Sequence, residues 1–164
     1  MTSINPFAEF RVACETVLKG TLERLFPELK VSFALESPPA AEFGELSSSV
    51  SFELAKLVKR KPLKIAEQIV ENVNLSGFPL AKSDKAAGEG YVNFYVDLTE
   101  FGKLTLESAL ALDREYGFVQ TEKPLPIIVE HTSANPIHPI HIGTARNPVL
   151  GDALARILKA RGHT

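Results

Sequence analysis

Residues 78–96 read FPLAKSDKAAGEGYVNFYV. Two segments, 78–85 and 90–96, flank Gly88-Glu89-Gly90. Glycines at a turn allow the positive φ angles that reverse a chain tightly, and the second segment is rich in aromatic and β-branched residues. The two segments are predicted to pair as a hairpin. Strands that come in adjacent pairs favour an antiparallel sheet with its helices on one face, an α+β domain.

The flanking sequence fills in that domain. Asn5-Pro6 reads as a helix N-cap and first helical residue. Phe10, Cys14, Val17, Leu18, Leu22 and Leu25 recur behind it at helical spacing, predicting an amphipathic helix over residues 6–26. Residues 30–36 alternate Val31, Phe33 and Leu35 with polar neighbours, as a half-buried strand does, and residues 42–47 form a second candidate strand. A helix is predicted over residues 49–60. Pro62 starts another, with Ile65, Ala66, Ile69 and Val73 on one side. Thr99 is expected to cap a last helix to about Leu112. The order is α-β-β-α-α-β-β-α, closing by about residue 118.

Beyond that the pattern changes. Residues 120–126 are polar with two prolines, as linkers are. Residues 126–130 (PIIVE) form a short continuous apolar run, typical of a strand buried on both faces of a parallel sheet. A loop with Pro136 and Pro139 follows. Val149, Leu150, Ala153, Leu154, Ile157 and Leu158 then mark a helix ending at Gly162. Pro148 disfavours helical geometry at Asn147, so the helix is expected to start at Asn147 or to have a distorted first turn. This is one β-loop-α unit, giving two domains, 1–120 and 121–164. A lone unit of that kind leaves its apolar faces uncovered, so the sequence reads as a piece of a longer protein. The alternative is that the last 40 residues dock onto the first domain.

The totals restrict the class of protein. The 164 residues carry a net charge of −2, 45% hydrophobic and 23% charged residues. That supports a real core and argues against a generally basic nucleic-acid binder, although a local basic face remains open. The single cysteine, Cys14, cannot form an internal disulfide, fits a reducing cytosol, and lies on an apolar stripe where a buried, inert thiol is expected. No apolar run has the length of a membrane span, and the N-terminus is not a signal peptide. A cytoplasmic protein is expected.

All four histidines fall in the last quarter, two of them in HPIHIGTARN, residues 138–147. Helix-start N–H groups are unpaired and the helix dipole makes that end positive, so phosphates bind there. His138 and His141 can donate further hydrogen bonds, Gly143 lets a ring or phosphate approach the backbone, and Arg146 offers a cation. Asn135, following a buried strand, would sit at the carboxyl edge of a sheet, where open α/β folds bind ligands. Together these describe a nucleotide-phosphate site. A metal reading of His131, His138 and His141 lacks a Cys or acidic partner at ligand spacing, so no metal site is expected.

At these residues the sequence resembles the class I aminoacyl-tRNA synthetases, whose His-Ile-Gly-His signature is matched by His141-Ile142-Gly143 with Thr144 in the final place. Residues 129–158 are similar to arginyl-tRNA synthetase: Glu130, then Ser133-Ala134-Asn135, then the signature, then Gly151–Arg156. Phe43–Ser47, Ala55-Lys56 and Gly88–Phe94 resemble the front domain of that family. The resemblance implies an N-terminal tRNA-binding domain followed by the first β-loop-α unit of a Rossmann-like catalytic domain. It further implies an arginine–tRNA ligase that activates arginine with ATP, accompanied by Mg2+, and transfers it to tRNA(Arg), as a monomer with no tightly bound cofactor. His138, His141, Gly143 and Thr144 would then meet ATP, with His141, Gly143 and Thr144 as the catalytic signature. Glu130, Ser133 and Asn135 would position arginine. Thr144 can donate a hydrogen bond but cannot become cationic as the family's second histidine can. Tyr91 and Asn93 stand where the family reads a D-loop base. Lys56, Lys59, Arg60, Lys61 and Lys64 form a basic run on two helices, suited to an RNA backbone. The piece alone is expected to be inactive. Two other readings are a free-standing RNA-binding module with a docked C-terminal helix, and a small nucleotidyltransferase, which leaves residues 1–120 unexplained.

Overall fold

The structure, a computed structural model, describes residues 2–132, 137, 139 and 141–164. It divides into two compact units, Met1–Leu110 and Ala111–Thr164.

The first unit opens with α1 (Pro6–Leu25), where Asn5 Oδ1 accepts a hydrogen bond from Ala8 N at 3.0 Å. The side chain thus satisfies a donor that the helix itself leaves unpaired. Then come β1 (Leu46–Ser48), α2 (Val50–Val58), α3 (Pro62–Asn72), β2 (Ala81–Ala87), β3 (Tyr91–Val96) and α4 (Leu98–Leu112). The predicted hairpin forms β2 and β3, and the sheet order is β1-β3-β2 with both pairs antiparallel. This is the expected α+β arrangement of an antiparallel sheet and helices. The core joins Val92, Phe94 and Val96 of β3 and Leu46 of β1 to Phe10, Cys14 and Leu18 of α1 and Ile65 and Ile69 of α3. Each such side chain, fully buried, is worth about 1.5–3 kcal/mol.

Two expectations for this unit are corrected. Residues 30–36 keep their alternation, with Val31 and Phe33 half-buried and Leu35 buried between exposed neighbours. They form no strand, and only Glu36 bridges Ser47, through two backbone hydrogen bonds of 2.8 and 2.9 Å. Alternation records one-sided burial and says nothing about a ladder partner. At α4 the capping group is Asp97 rather than Thr99: Asp97 Oδ1 accepts from Thr99 N at 2.9 Å and Glu100 N at 3.1 Å.

Two buried side-chain oxygens among the described residues lack a hydrogen-bond partner, Ser51 Oγ and Asp84 Oδ2. Asp84 lies on β2 opposite Phe94, and its Oδ2 is buried without a hydrogen-bond partner. Loss of hydration raises its carboxyl pKa from 3.8 to about 6, offset in part by a hydrogen bond with its own backbone. Cys14 is fully buried, and burial above all pushes its thiol up to about 12, which makes it unreactive as expected.

The second unit contains α5 (Ile142–Ala160) and a chain that runs beside its C-terminal end. Thr121 N donates to Arg161 O at 2.8 Å, Ile127 N to Thr164 O at 2.7 Å, and Leu125 N to His163 Nδ1 at 3.2 Å. The strand predicted over residues 126–130 is not formed, and Ile128 is 97% exposed. A strand of a parallel sheet needs neighbouring strands, and no such strand lies beside it among the described residues; its backbone meets Thr164, which accepts from Ile127 N. The start of α5 also differs from expectation. The helix begins at Ile142 with His141 as its N-cap and continues through Pro148. Capping at His141 fixes the first turn upstream of the proline. Gly151 is the only buried residue of α5, and a Cβ there would lie 1.9 Å from His131 Cβ, so the absent side chain admits His131.

Candidate functional site

The hairpin and β1 build a pocket in the first unit. Along β3, Val92, Phe94 and Val96 enter the core, which turns Tyr91, Asn93 and Tyr95 to the opposite face. There Glu36, Pro38, Pro39, Ser47, Tyr91 and Asn93 line a pocket of about 370 Å³. Its floor is polar. Ser47 is the cross-strand partner of Asn93, and its hydroxyl donates to Asn93 Oδ1 at 2.7 Å. Asn93 is only 2% exposed. Tyr91 stands at the wall, 46% exposed, with its ring edge-to-face against Phe52 at 5.1 Å between centroids. That contact fixes the ring, which costs less ordering when something flat stacks on it. On the other side of Asn93, Lys85 is its β2 partner, and its ammonium lies 5.1 Å from the centre of the Tyr95 ring.

The basic run lies at the α2–α3 corner, and three of its side chains already have partners. Lys56 Nζ is 2.8 Å from Glu53, Lys64 Nζ is 2.7 Å from Glu67, and Arg60 donates to Gln68 Oε1 at 2.7 Å. The ammonium groups of Lys59 and Lys61 have no partner among the described residues. Lys59 ends α2 with φ at 54°, and Lys61 is the N-cap of α3. This corner adjoins the hairpin tip. Gly90, at φ +145°, sits so close to α3 that a Cβ would come within 2.6 Å of Pro62 Cβ. The turn predicted from Gly88–Gly90 therefore has two jobs: it reverses the chain and it seats against the start of the basic helix.

In the second unit His141 and Thr144 form a reciprocal cap. Gly143 N donates to His141 Nδ1 at 3.1 Å, His141 N donates to Thr144 Oγ1 at 3.1 Å, and Thr144 Oγ1 donates to His141 O at 2.9 Å. With Nδ1 accepting, the neutral ring carries its proton on Nε2, which is left as a donor. The Thr144 hydroxyl is engaged as both donor and acceptor. Gly143 leaves room for the ring where it stands, since a Cβ there would be 2.9 Å from His141 Cε1. Arg146 and Glu130 are exposed. The predicted positions Ser133, Asn135 and His138 lie outside the described residues.

The structure thus brings Tyr91 and Asn93 into one pocket and His141, Gly143 and Thr144 into one helix start. Sequence reasoning missed Ser47 and the roof formed by Pro38 and Pro39. Ser37-Pro38-Pro39 marks a break after residues 30–36, but not the sheet face over which it folds.

The family model for the arginyl tRNA synthetase N terminal domain matches residues 13–96. The arginine–tRNA ligase of Pyrococcus furiosus is 38% identical over 146 residues, covering 89% of this chain and 23% of that protein. That of Methanococcus maripaludis strain C7 is 38% identical over 148 residues, covering 90% and 25%. Among solved structures, Thermus thermophilus arginyl-tRNA synthetase matches with a TM-score of 0.51 at 28% identity, covering 94% of this chain and 24% of that one. Plasmodium falciparum arginyl-tRNA synthetase matches in fold, with a TM-score of 0.59 at 14% identity, covering 94% and 29%. The chain spans about a quarter of the length of these relatives. The matched residues include β1, the hairpin, the pocket they form and the basic corner beside it, and the chain belongs to the arginyl-tRNA synthetase N-terminal domain family.

Proposed function

We propose that this chain is the N-terminal part of an arginine–tRNA ligase, contributing a tRNA-binding domain over residues 1–120 and the opening of the Rossmann-like catalytic domain over residues 121–164. The full-length enzyme would join arginine to ATP as the adenylate and pass it to tRNA(Arg), acting as a cytoplasmic monomer. The observation that carries the tRNA reading is the pocket at Tyr91 and Asn93 with the uncompensated cations of Lys59 and Lys61 beside the same hairpin tip. An unpaired base stacking on Tyr91 would gain about 1–3 kcal/mol, with its edge over Asn93. The two lysines would neutralise backbone phosphates, aided by Lys56 and Arg60 wherever RNA competes with their present partners.

For the catalytic half, the start of α5 supports an anion site. The N–H groups of Gly143, Thr144 and Ala145 are engaged at the His141 cap, so the donor on offer is His141 Nε2–H, presented to an approaching phosphate oxygen at the positive end of the helix. Thr144 contributes by holding His141, because its hydroxyl is engaged in the cap. Gly143 contributes by making room for the imidazole. Glu130, Ser133 and Asn135 would hold arginine, and His138 would join His141 at the nucleotide. Among the described residues no three His, Cys, Asp or Glu side chains gather to hold a metal. Mg2+ would enter with the triphosphate of the substrate. The present chain alone is proposed to bind tRNA and not to aminoacylate it.

Fluorescence anisotropy with a labelled tRNA(Arg) transcript tests the first half. Tyr91→Ala should weaken binding about tenfold while leaving the fold intact by circular dichroism. Equal affinity of the variant and the parent chain would remove Tyr91 from the interface.

A further inference from the structure

The sheet has two edges, and the chain builds them differently. β2 forms one edge. Its pairing is irregular between Ala81 and Ser83, it carries Lys82 and Lys85 exposed, and it turns the Asp84 carboxylate inward. A bulge, edge lysines and an inward charge each discourage a further strand from pairing there. The other edge is open. Beyond β1 lies Glu36, whose N–H and C=O both bond Ser47, and residues 31–35 before it (VSFAL) bear no charge, glycine or proline. They run without a turn or bend, and their burial alternates. Successive residues of an extended chain send their backbone groups to opposite sides. Glu36 faces β1, so Leu35, Phe33 and Val31 face away from it. Arg11 takes the Leu35 carbonyl, and among the described residues no hydrogen bond reaches the N–H or C=O of Phe33 or Val31. Beside this bare backbone Phe33 borders two hollows on α1, one of about 590 Å³ against Lys19, Leu22 and Phe26 and one of about 390 Å³ against Val12 and Thr16. Val12 is 59% exposed.

We infer that residues 31–33 are the docking edge for an extended segment of a partner protein, which adds a strand to the sheet there. Main-chain hydrogen bonds to Val31 and Phe33 hold the segment, and its alternate side chains select it. The edge also states the chemistry of that segment. Its residues opposite Val31 and Phe33 point inward, so two apolar side chains, one residue apart, fill the hollows toward Val12 and Phe26. Its residue beside Lys30 is acidic, because that ammonium meets no carboxylate among the described residues. A second copy of this chain is the poorer occupant. Its own Val31, Phe33 and Leu35 already pack against its core and leave no apolar side chain for the hollows.

A phage-displayed library of short random peptides, selected on the 164-residue chain, tests this. It should enrich two apolar residues one apart with Asp or Glu next to them, and no proline between. The selected peptide, synthesised with a fluorescein label, is then measured by anisotropy. Val31→Pro removes one donor from the edge and should weaken binding about tenfold. Lys30→Glu should weaken it about fivefold, and the library selected on that variant should enrich a basic residue in place of the acidic one. In 15N-edited NMR of the parent chain, hydrogen exchange at the Val31 and Phe33 amides should slow when the peptide is added, a readout that does not depend on any variant folding. An unenriched library, or bound peptide with unchanged exchange at both amides, would overturn strand addition at this edge. Equal affinity for Lys30→Glu would overturn the acidic assignment. A dimer of the free chain in sedimentation velocity, abolished by Val31→Pro, would make a second copy the occupant and overturn the partner protein.

Discussion

Replacing Asp84 with asparagine should stabilise the first unit at neutral pH and leave it unchanged in acid. Asp84 faces the core side of β2 with Oδ2 buried and unpartnered, and loss of hydration lifts its pKa from 3.8 to about 6. A folded-state pKa above the unfolded value means that folding takes up a proton. The stability linked to this group is therefore complete below about pH 3.8. It declines as pH rises toward 6, and above that it stays at its lower level. At about 1.36 kcal/mol per pH unit the full effect would be about 3 kcal/mol. Asp84 is only partly removed from water, and solvent screening reduces this to about 1–2 kcal/mol. Asparagine has nearly the same shape and no charge to desolvate. Urea unfolding of both chains, followed by circular dichroism at several pH values from 3.5 to 7.5, isolates the difference, because every other carboxylate is common to the two. The curves should coincide at pH 3.5 and separate by about 1–2 kcal/mol at pH 7, with Asp84→Asn the more stable. Parallel curves across the range, or a less stable variant at pH 7, would refute the account of Asp84 as a strained, desolvated carboxylate.

Three further outcomes are expected. Gly90→Ala combines a φ of +145° with a Cβ 2.6 Å from Pro62 and should cost about 2–3 kcal/mol in urea unfolding, with the loss confined to the first unit. Pro148→Ala restores an N–H inside α5 and should raise helicity at 222 nm, stabilising the helix by up to about 3 kcal/mol; an unchanged spectrum would mean that the helix does not pass through residue 148. Gly151→Ala forces His131 off α5 and should lower the thermal midpoint of the second unit, whereas an unaltered melt would show that this contact is not held in solution.

Much of the first unit was legible because its signals are local. A Gly-x-Gly turn between strand-like segments, an Asn-Pro helix start and a 3.6-residue apolar stripe each act within a few residues. The strand expected over residues 30–36 failed because pairing depends on a distant partner, and only Glu36 finds one. The run over residues 126–130 failed for the same reason: its apolar side chains suit a sheet, yet no strand lies beside it among the described residues. In the site, Tyr91 and Asn93 were legible through a resemblance, but the hydroxyl bonded to Asn93 was not, because Ser47 is 46 residues away in sequence. Pro148 was read as the obstacle to helix initiation. The cap at His141, whose ring nitrogen serves where Ser or Asp more often does, lay outside the usual signals.

The seating of Gly90 on Pro62 makes the loop tip and the lysine-bearing corner a single lever. Tilting one must carry the other. Binding energies measured by substituting Tyr91 and by substituting Lys59 and Lys61 should then fail to add, since each change alters how the neighbouring group would meet the proposed tRNA ligand. One residue inserted between Gly88 and Gly90 would disturb both contacts together, so length variation at this tip is tolerable only where the corner shifts in step.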